Sequence, residues 1–372
     1  MSEATGTATP ERPGLPAQSP PVDPAETAAA TGKTAAPGRL SWWHGDGGEG
    51  AKRNVGLIAV LVVLIVIGAA TRWDLYSNPD WVWNNTLTIL KLASVVGVVT
   101  VGMTFVIIGG GIDLSVGAIV ALAGVWCTTV ATQSYGAGGM IFSALTVGLA
   151  VGVVNGLLIS YGRLVPFIAT LAMMVAARGL AAEISDKQTQ VSDNTFINGI
   201  ASTELLGIPL LVYILAAVVA AGWVLLNRTT FGRRTVAVGG NPEAARLAGI
   251  NVRRHTLLLY GLSGLCCGIA AVMLTAQANS AQAAMANLYE LDAIAAAIIG
   301  GTLLSGGRGT IVGSLLGVLI FSTITNLFAI NGLSTEAQNM VKGGIIVGAV
   351  LVQQVQFRSL TQFLGRNRAT TA

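Results

Sequence analysis

Apolar and polar stretches alternate along the chain from residue 55 almost to the C-terminus. Most of the apolar stretches approach the ~20 residues that a helix needs to cross a bilayer. The pattern predicts an all-α polytopic integral membrane protein with about ten transmembrane segments, the eighth short enough to be a re-entrant or broken helix. The predicted segments are 55–70, 86–108, 114–132, 140–160, 166–183, 208–226, 256–276, 291–304, 310–328 and 340–355.

The second and third segments meet at three consecutive glycines, Gly109, Gly110 and Gly111, which Asp113 follows closely. Glycine is a poor helix former, and a carboxylate costs roughly 3 kcal/mol or more at the bilayer centre. Irregular backbone at membrane depth is tolerated only where protein or a water-filled cavity surrounds it. Two interpretations stay open: a tight turn at the membrane face in which Asp113 caps the next helix, or a wall of a path through the membrane.

Composition supports a membrane protein, since 53% of the 372 residues are hydrophobic and only 10% are charged. A soluble domain carries about 25% charged residues. The net charge of +4 does not indicate nucleic-acid binding, because the charges lie in loops and no basic stripe with interleaved aromatics is present.

Lysine and arginine fall almost entirely on one side of the ten-segment arrangement, and the other side holds only Arg72 and Lys187. By the positive-inside rule, both termini and the loop 227–255 are cytoplasmic. The residues on the basic side are Lys52, Arg53, Arg163, Arg228, Arg233, Arg234, Arg246, Arg253, Arg254, Arg308, Arg358, Arg366 and Arg368.

The acidic residues show the opposite bias. Either the outer loops simply lack positive charge, or they form a docking surface for a basic partner outside the cell; the sequence leaves both open. The acids on or near the outer face are Asp74, Asp80, Glu183, Asp186, Asp193, Glu204, Glu290 and Glu336.

The first fifty residues differ from the rest of the chain, because they hold seven of the 11 prolines among Ala, Thr, Gly and Ser. Such a segment cannot bury enough apolar surface to become ordered. We therefore predict a disordered cytoplasmic tail at 1–52, a transmembrane domain at 53–357 and a cytoplasmic C-terminal tail at 358–372. Gly32-Lys33-Thr34 lacks the rest of a phosphate-binding loop.

No catalytic, cofactor or metal site is predicted. Cys127, Cys266 and Cys267 lie within apolar segments and are interpreted as small core residues. His44 and His255 are far apart in sequence, and no cluster with metal-ligand spacing occurs.

Two patterns of glycine residues bear on how the helices pack and on whether the chain contains an internal repeat. Gly148, Gly152 and Gly156 share one helix face, which predicts close approach of a neighbouring helix. The string IIGG occurs at 107–110 and 298–301. Inverted repeats are common in transporters, but two copies of four residues do not establish one.

The loop 227–255 contains signals for a short helix. Asn241 can cap it, Pro242 suits its first turn, and Gly249 can end it. So short a helix is not stable alone in water and needs a surface to pack on. That surface belongs either to a cytoplasmic partner or to the chain's own spans.

Three blocks resemble the permease subunits of ribose-type ABC importers: GMTFVIIGGGIDLSVGAIVALAG at 102–124, GGNPEAARLAGI at 239–250 and LDAIAAAIIGGTLLSGGRGTIVGSLLGVLI at 291–320. The resemblance implies a multi-pass protein of the bacterial inner membrane that imports a monosaccharide such as ribose, xylose or galactose. Nucleosides, polyols and signalling furanones remain alternative solutes.

The resemblance also implies the partners: an ABC ATPase subunit that binds ATP, an external sugar-binding protein, and a second permease copy, identical or closely related. The short helix would be the coupling helix that seats in the ATPase. The residues implied in coupling are Glu243, Ala244, Ala245, Arg246 and Gly249.

The translocation path has no transferable motif. Polar residues of the apolar segments are its candidates, although each can instead be a helix cap or an interhelical hydrogen bond. An ion-driven secondary transporter is the alternative from another class. It needs buried ion ligands, and the segments offer Asp113, Lys91 and little else. The path candidates are Asp113, Ser115, Asn155, Thr302 and Ser305.

Overall fold

The computed structural model of the chain describes residues 46–348 and 350–351. Residues 1–45 of the predicted disordered tail and the whole C-terminal tail, 358–372, lie outside these residues. Residues 46–52, which the sequence analysis assigns to the N-terminal tail, are the start of a 26-residue helix, Asp46–Thr71. No proline interrupts this stretch, so the helix of the first apolar segment extends back through it.

Helices make up most of the described residues. The helices are α1 Asp46–Thr71, α2 Trp73–Tyr76, α3 Pro79–Ile108, α4 Val116–Cys127, α5 Val130–Gln133, α6 Gly136–Ser160, α7 Pro166–Ile184, α8 Thr195–Ser202, α9 Leu210–Arg228, α10 Thr230–Gly240, α11 Pro242–Leu247, α12 Val252–Ala278, α13 Tyr289–Ile299, α14 Ile311–Ile330 and α15, residues 335–348.

Two small antiparallel ladders modify the predicted all-α class. β1 (Gln190–Val191) pairs with β4 (Ser280–Ala281), and β2 (Glu204–Leu205) pairs with β3 (Ile208–Pro209). Each strand has only two residues, so these ladders connect loops and do not form an extended β-sheet.

Seven helices of the described part are long and apolar enough to cross a membrane: α1 from Lys52 onward, α3, α6, α7, α9, α12 and α14. α4 has 12 residues and α13 has 11. At 1.5 Å per residue, each covers about 18 Å or less, short of the ~30 Å hydrocarbon core. The seven long helices do not confirm the predicted count of about ten.

One predicted boundary is wrong and one helix was not predicted, in both cases because local capping was missed. α3 begins at Pro79 rather than at residue 86, since Asn78 accepts hydrogen bonds from the amides of Asp80 and Trp81 and so starts the helix earlier. The loop 227–255 contains a helix, α10, in addition to the predicted one; Thr229 caps it at the amide of Gly232.

α3 and α12 form the centre of the molecule. In its most apolar window, α3 is 83% buried and α12 61%, whereas α1 is only 11% buried. α12 packs against α6, α3 and α4, and α14 packs against α3 and α13. α1 therefore lies at the periphery and exposes Val62, Val66 and their neighbours, as a lipid-facing helix does.

The predicted glycine face of α6 packs on α12. A β-carbon on Gly152 would lie 2.9 Å from the Cα of Gly264, and one on Gly156 would lie 2.8 Å from the Cα of Leu257. The backbones of the two helices are in direct contact here, which only glycine permits. The packing role predicted for these glycines is confirmed.

Contacts between loops that are distant in sequence show which loops lie together at each end of the helical bundle. At the basic end, Arg53 donates to the carbonyl of Gly301 (3.3 Å) and the hydroxyl of Thr310 (3.1 Å). At the acidic end, Arg72 donates to the carbonyl of Ile330, and β1 pairs with β4. Each contact joins two segments that the charge pattern had assigned to the same side.

Candidate functional site

The two IIGG strings end two helices in the same way. After α3, the amides of Gly110 and Gly111 donate to the carbonyls of Ile107 and Val106; after α13, the amides of Gly301 and Thr302 donate to those of Ile298 and Ala297. The second glycine of each string has a positive φ, +85° at Gly110 and +83° at Gly301. This is the glycine-terminated helix end that satisfies the last carbonyls.

These two helix ends meet the C-terminal end of α10, immediately before α11. The amide of Gly307 donates to the carbonyl of Ile108 over 2.8 Å. A β-carbon on Gly239 would overlap that same carbonyl oxygen and would lie 2.7 Å from the Gly307 nitrogen. We call the convergence of Gly110, Gly239, Gly306 and Gly307 the glycine junction. It lies at the basic end of the molecule.

A cavity of about 150 Å³ adjoins the glycine junction. Its lining is largely apolar and combines the break after α3 with the beginning of α11 and the first turns of α12. The lining residues include Val106, Gly110, Val238, Pro242, Leu259 and Tyr260.

α11 is the short helix predicted from the loop signals. The Asn241 side chain accepts hydrogen bonds from the amides of Glu243 (3.1 Å) and Ala244 (3.0 Å). At the other end, Gly249 has φ +82°, and the amide of Ile250 donates to the carbonyl of Ala245. Both predicted helix limits are confirmed, since each depends on neighbouring residues only.

α11 exposes most of its surface. Glu243 and Arg246 form an exposed ion pair 2.6 Å long, and the hydrogen bond from Arg246 lowers the pKa of the Glu243 carboxyl. Ala245 is buried against the chain itself, while Leu247 is 76% exposed. Of the residues implied in coupling, Glu243, Ala244, Arg246 and Gly249 are exposed and Ala245 is not.

The surroundings of α11 are basic. Exposed arginines flank it on the preceding helix and on the first turn of α12, and in the described residues they form no ion pair with a carboxylate. These are Arg233, Arg234, Arg253 and Arg254.

Asp113 sits in a buried hydrogen-bond cluster. One carboxylate oxygen accepts from the amide (3.0 Å) and hydroxyl (2.5 Å) of Ser115, and the other accepts from the hydroxyl of Ser263 at 3.1 Å. The Asn155 amide donates to the Ser115 hydroxyl at 2.8 Å. By accepting the amide of Ser115, the N-cap residue of α4, Asp113 closes a turn immediately before the helix.

The five path candidates fall into three places. Asp113, Ser115 and Asn155 lie together and are 0% exposed. Thr302 is also buried and lies 3.4 Å from the hydroxyl of Ser314, in a different cluster. Ser305 is exposed in the loop after α13. The structure therefore brings three of the candidates together and separates the other two.

Sequence reasoning missed an ion pair. Asp292 on α13 and Lys342 on α15 are mostly buried, with 3.2 Å between carboxylate and ammonium. The apolar segments therefore hold a second pair of ionisable groups besides Asp113 and Lys91, contrary to the expectation from the sequence. The signal was present, because each residue interrupts an apolar run.

Glu290 was predicted to lie on or near the outer face but is buried, 7% exposed, and its Oε2 has no hydrogen-bond partner among the described residues. Near it, Arg178 donates to the carbonyls of Ala283 and Met285, each at 2.8 Å. Arg178 thereby fastens the loop before α13 to α7. The described residues contain no group of three side chains suited to a metal ion.

Comparison with known proteins gives consistent matches. A family model described as branched-chain amino acid transport system / permease component matches residues 85–350. The ribose import permease protein of Bacillus subtilis is 40% identical over 321 residues, covering 82% of this chain and 94% of that protein. No solved structure matches the chain significantly.

Two further relatives have names that refer to other sugars. The galactofuranose transporter permease protein of Escherichia coli is 36% identical over 307 residues, covering 82% of this chain and 90% of its own length. The galactose/methyl galactoside import permease protein of Salmonella typhimurium is 32% identical over 325 residues, which cover 81% of this chain and 94% of that protein.

Proposed function

The chain belongs to the permease-component family matched over residues 85–350, and on that premise we propose that it is the membrane-spanning subunit of an ABC importer for a monosaccharide. One observation carries the proposal: the relatives align over at least nine-tenths of their own length and are named as permeases for ribose, galactofuranose and galactose. These names favour a sugar over the branched-chain amino acids of the family description.

We assign the basic end to the cytoplasm, because arginine and lysine are retained there during membrane insertion. Both termini are then cytoplasmic, and the acidic end faces the external sugar-binding protein. We also assign α4, α13 and α15 to the membrane, which brings the number of segments to ten. α4 and α13 are short because each adjoins a glycine break.

α11 is the coupling helix in this proposal. It is capped at both ends and exposed on most of its surface, so it is preformed for a partner and loses little entropy on binding. The partner is the ATPase subunit, which binds and hydrolyses ATP. Contacts come from Glu243, Ala244, Arg246 and Gly249, to which the exposed side chain of Leu247 is added, while Ala245 holds the helix to its own chain.

Three of the candidates for the translocation path have a structural role in the described conformation. Asp113, Ser115 and Asn155 stabilise the start of α4 in the described conformation, where they are buried. Solute reaches them only after α4 moves. A second permease copy completes the assembly, with two ATPases at its cytoplasmic side.

The test of coupling is co-purification of the ATPase from detergent extracts. Leu247→Arg and Glu243→Arg should lose the ATPase, because a new or reversed charge meets its binding groove. Leu206→Arg is the matched control, since Leu206 is 90% exposed at the acidic end. Failure of any ATPase to co-purify with the wild-type chain would contradict the proposal.

The test of substrate is uptake in proteoliposomes that contain the complete importer with its binding protein. Labelled ribose, galactose and leucine are compared at equal concentration. Uptake of a sugar but not of leucine is the expected result. Uptake of leucine alone would show that the family description, rather than the relatives, predicts the solute.

A further inference from the structure

The backbone immediately before α11 is in contact with the ends of two other helices. A β-carbon on Gly239 would overlap the carbonyl oxygen of Ile108, the last residue of α3, and would lie 2.7 Å from the nitrogen of Gly307 in the loop after α13. No side chain lies between these backbones. The spacing leaves no room for any residue larger than glycine at position 239.

The contact is reciprocal. A β-carbon on Gly306 would lie 2.8 Å from the carbonyl oxygen of Gly239 and 2.9 Å from the Cα of Gly110. The hydrogen bond from Gly307 to Ile108 joins the two breaks to each other. Three chain segments that are far apart in sequence are thus held together by main-chain atoms.

Main-chain contacts transmit displacement more directly than side-chain contacts do. A flexible side chain can change rotamer and absorb a shift, whereas two peptide units in van der Waals contact must move together or separate. α11 itself buries only Ala245, so little else holds it in place. A push on α11 therefore acts on the glycine junction through residues 239–241.

We propose that Gly239 is a positioning residue that passes the movement of α11 to the ends of both α3 and α13. The two helix ends share the same glycine-terminated geometry and lead to α4 and α14, so one displacement acts on both breaks. The inference rests on the proposed function, because it takes the ATPase as the source of the push on α11.

The test compares two adjacent glycines in the complete importer in proteoliposomes, with ATP hydrolysis and sugar uptake measured together. Gly239→Ala should keep the ATPase bound, since the surface of α11 is unchanged, and should lower uptake per ATP hydrolysed about tenfold. Gly240→Ala is the control, because a β-carbon there meets nothing within 4 Å; its uptake should equal that of wild type.

A merely structural role would lower the amount of folded importer but leave the ratio of uptake to hydrolysis unchanged. Equal ratios for Gly239→Ala and Gly240→Ala would therefore overturn the inference. A wild-type chain that binds no ATPase would instead overturn the proposed function, so the two failures are distinguishable.

A second test leaves all glycines in place, in case Gly239→Ala does not fold. Val106→Cys on α3 and Val238→Cys on α10 introduce two thiols into the lining of the cavity beside the junction, in a chain whose native cysteines are replaced by alanine. Bridging them with a short reducible bifunctional reagent should abolish uptake with the ATPase still bound, and reduction should restore it. Undiminished uptake by the bridged protein would contradict the inference.

Discussion

Asp292 and Lys342 form an ion pair that joins α13 to α15: 3.2 Å separate Oδ2 from Nζ, and the side chains are 12% and 17% exposed. The Lys342 ammonium also lies 5.3 Å from the ring centroid of Phe321 on α14. A single pair of charges thus connects three helices, two of which flank the break at residues 300–310.

Removing one member of this pair should be more damaging than removing both. Lys342→Met leaves the Asp292 carboxylate without its counter-charge, which costs about 3 kcal/mol for a buried pair. The double variant Asp292→Leu with Lys342→Met should recover most of that loss. Thermal unfolding in detergent measures both, and a single variant as stable as the double would contradict the prediction.

Ser115 links Asp113 to Asn155, because its hydroxyl donates to the carboxylate and accepts from the amide. Ser115→Ala removes both bonds, and the Oδ1 of Asn155 already has no partner among the described residues. We expect a loss of about 2 kcal/mol in the free energy of unfolding, since buried polar groups are left unpaired. Ser115→Thr, which keeps a hydroxyl, is the control and should lose less; equal losses would argue for packing as the cause.

The glycines of the helical segments should respond oppositely to alanine. Gly152→Ala places a methyl group against the backbone of α12 and should cost about 1–3 kcal/mol by overpacking. Gly179→Ala, where nothing lies within 4 Å, should stabilise α7 by about 0.5–1 kcal/mol through helix propensity. Thermal unfolding of the two variants side by side checks the signs, and destabilisation by both would show that Gly179 faces a neighbour in the assembly.

The two ends of the molecule should be labelled from opposite sides of the membrane. Leu247→Cys on α11 and Leu206→Cys at the β2–β3 turn are both highly exposed, whereas Cys127, Cys266 and Cys267 are buried. A membrane-impermeant maleimide applied to intact cells should modify only the cysteine at position 206. Labelling of position 247 from outside would reverse the orientation.

Properties that depend on neighbouring residues could be predicted from the sequence. The cap of α11 at Asn241 and the left-handed glycine at position 249 that follows its end depend on residues within one or two turns, and the structure has both as expected. The glycine face of α6 was also predictable, because spacing alone places Gly148, Gly152 and Gly156 on one side of a helix. The membership of the family was readable from short blocks for the same reason.

Properties that depend on which segments pack together were decided only by the tertiary structure. Asp113 accepts a hydrogen bond from Ser263, which lies 150 residues further along the chain. Asp292 pairs with Lys342, which lies 50 residues further along. Gly239 reaches Ile108 and Gly307 through the packing of α10, α3 and the loop after α13. In each case the sequence specifies a polar group or a glycine but not its partner, because helices of similar apolarity can pack in many arrangements. The backbone contacts, hydrogen bonds and charges then select one of them.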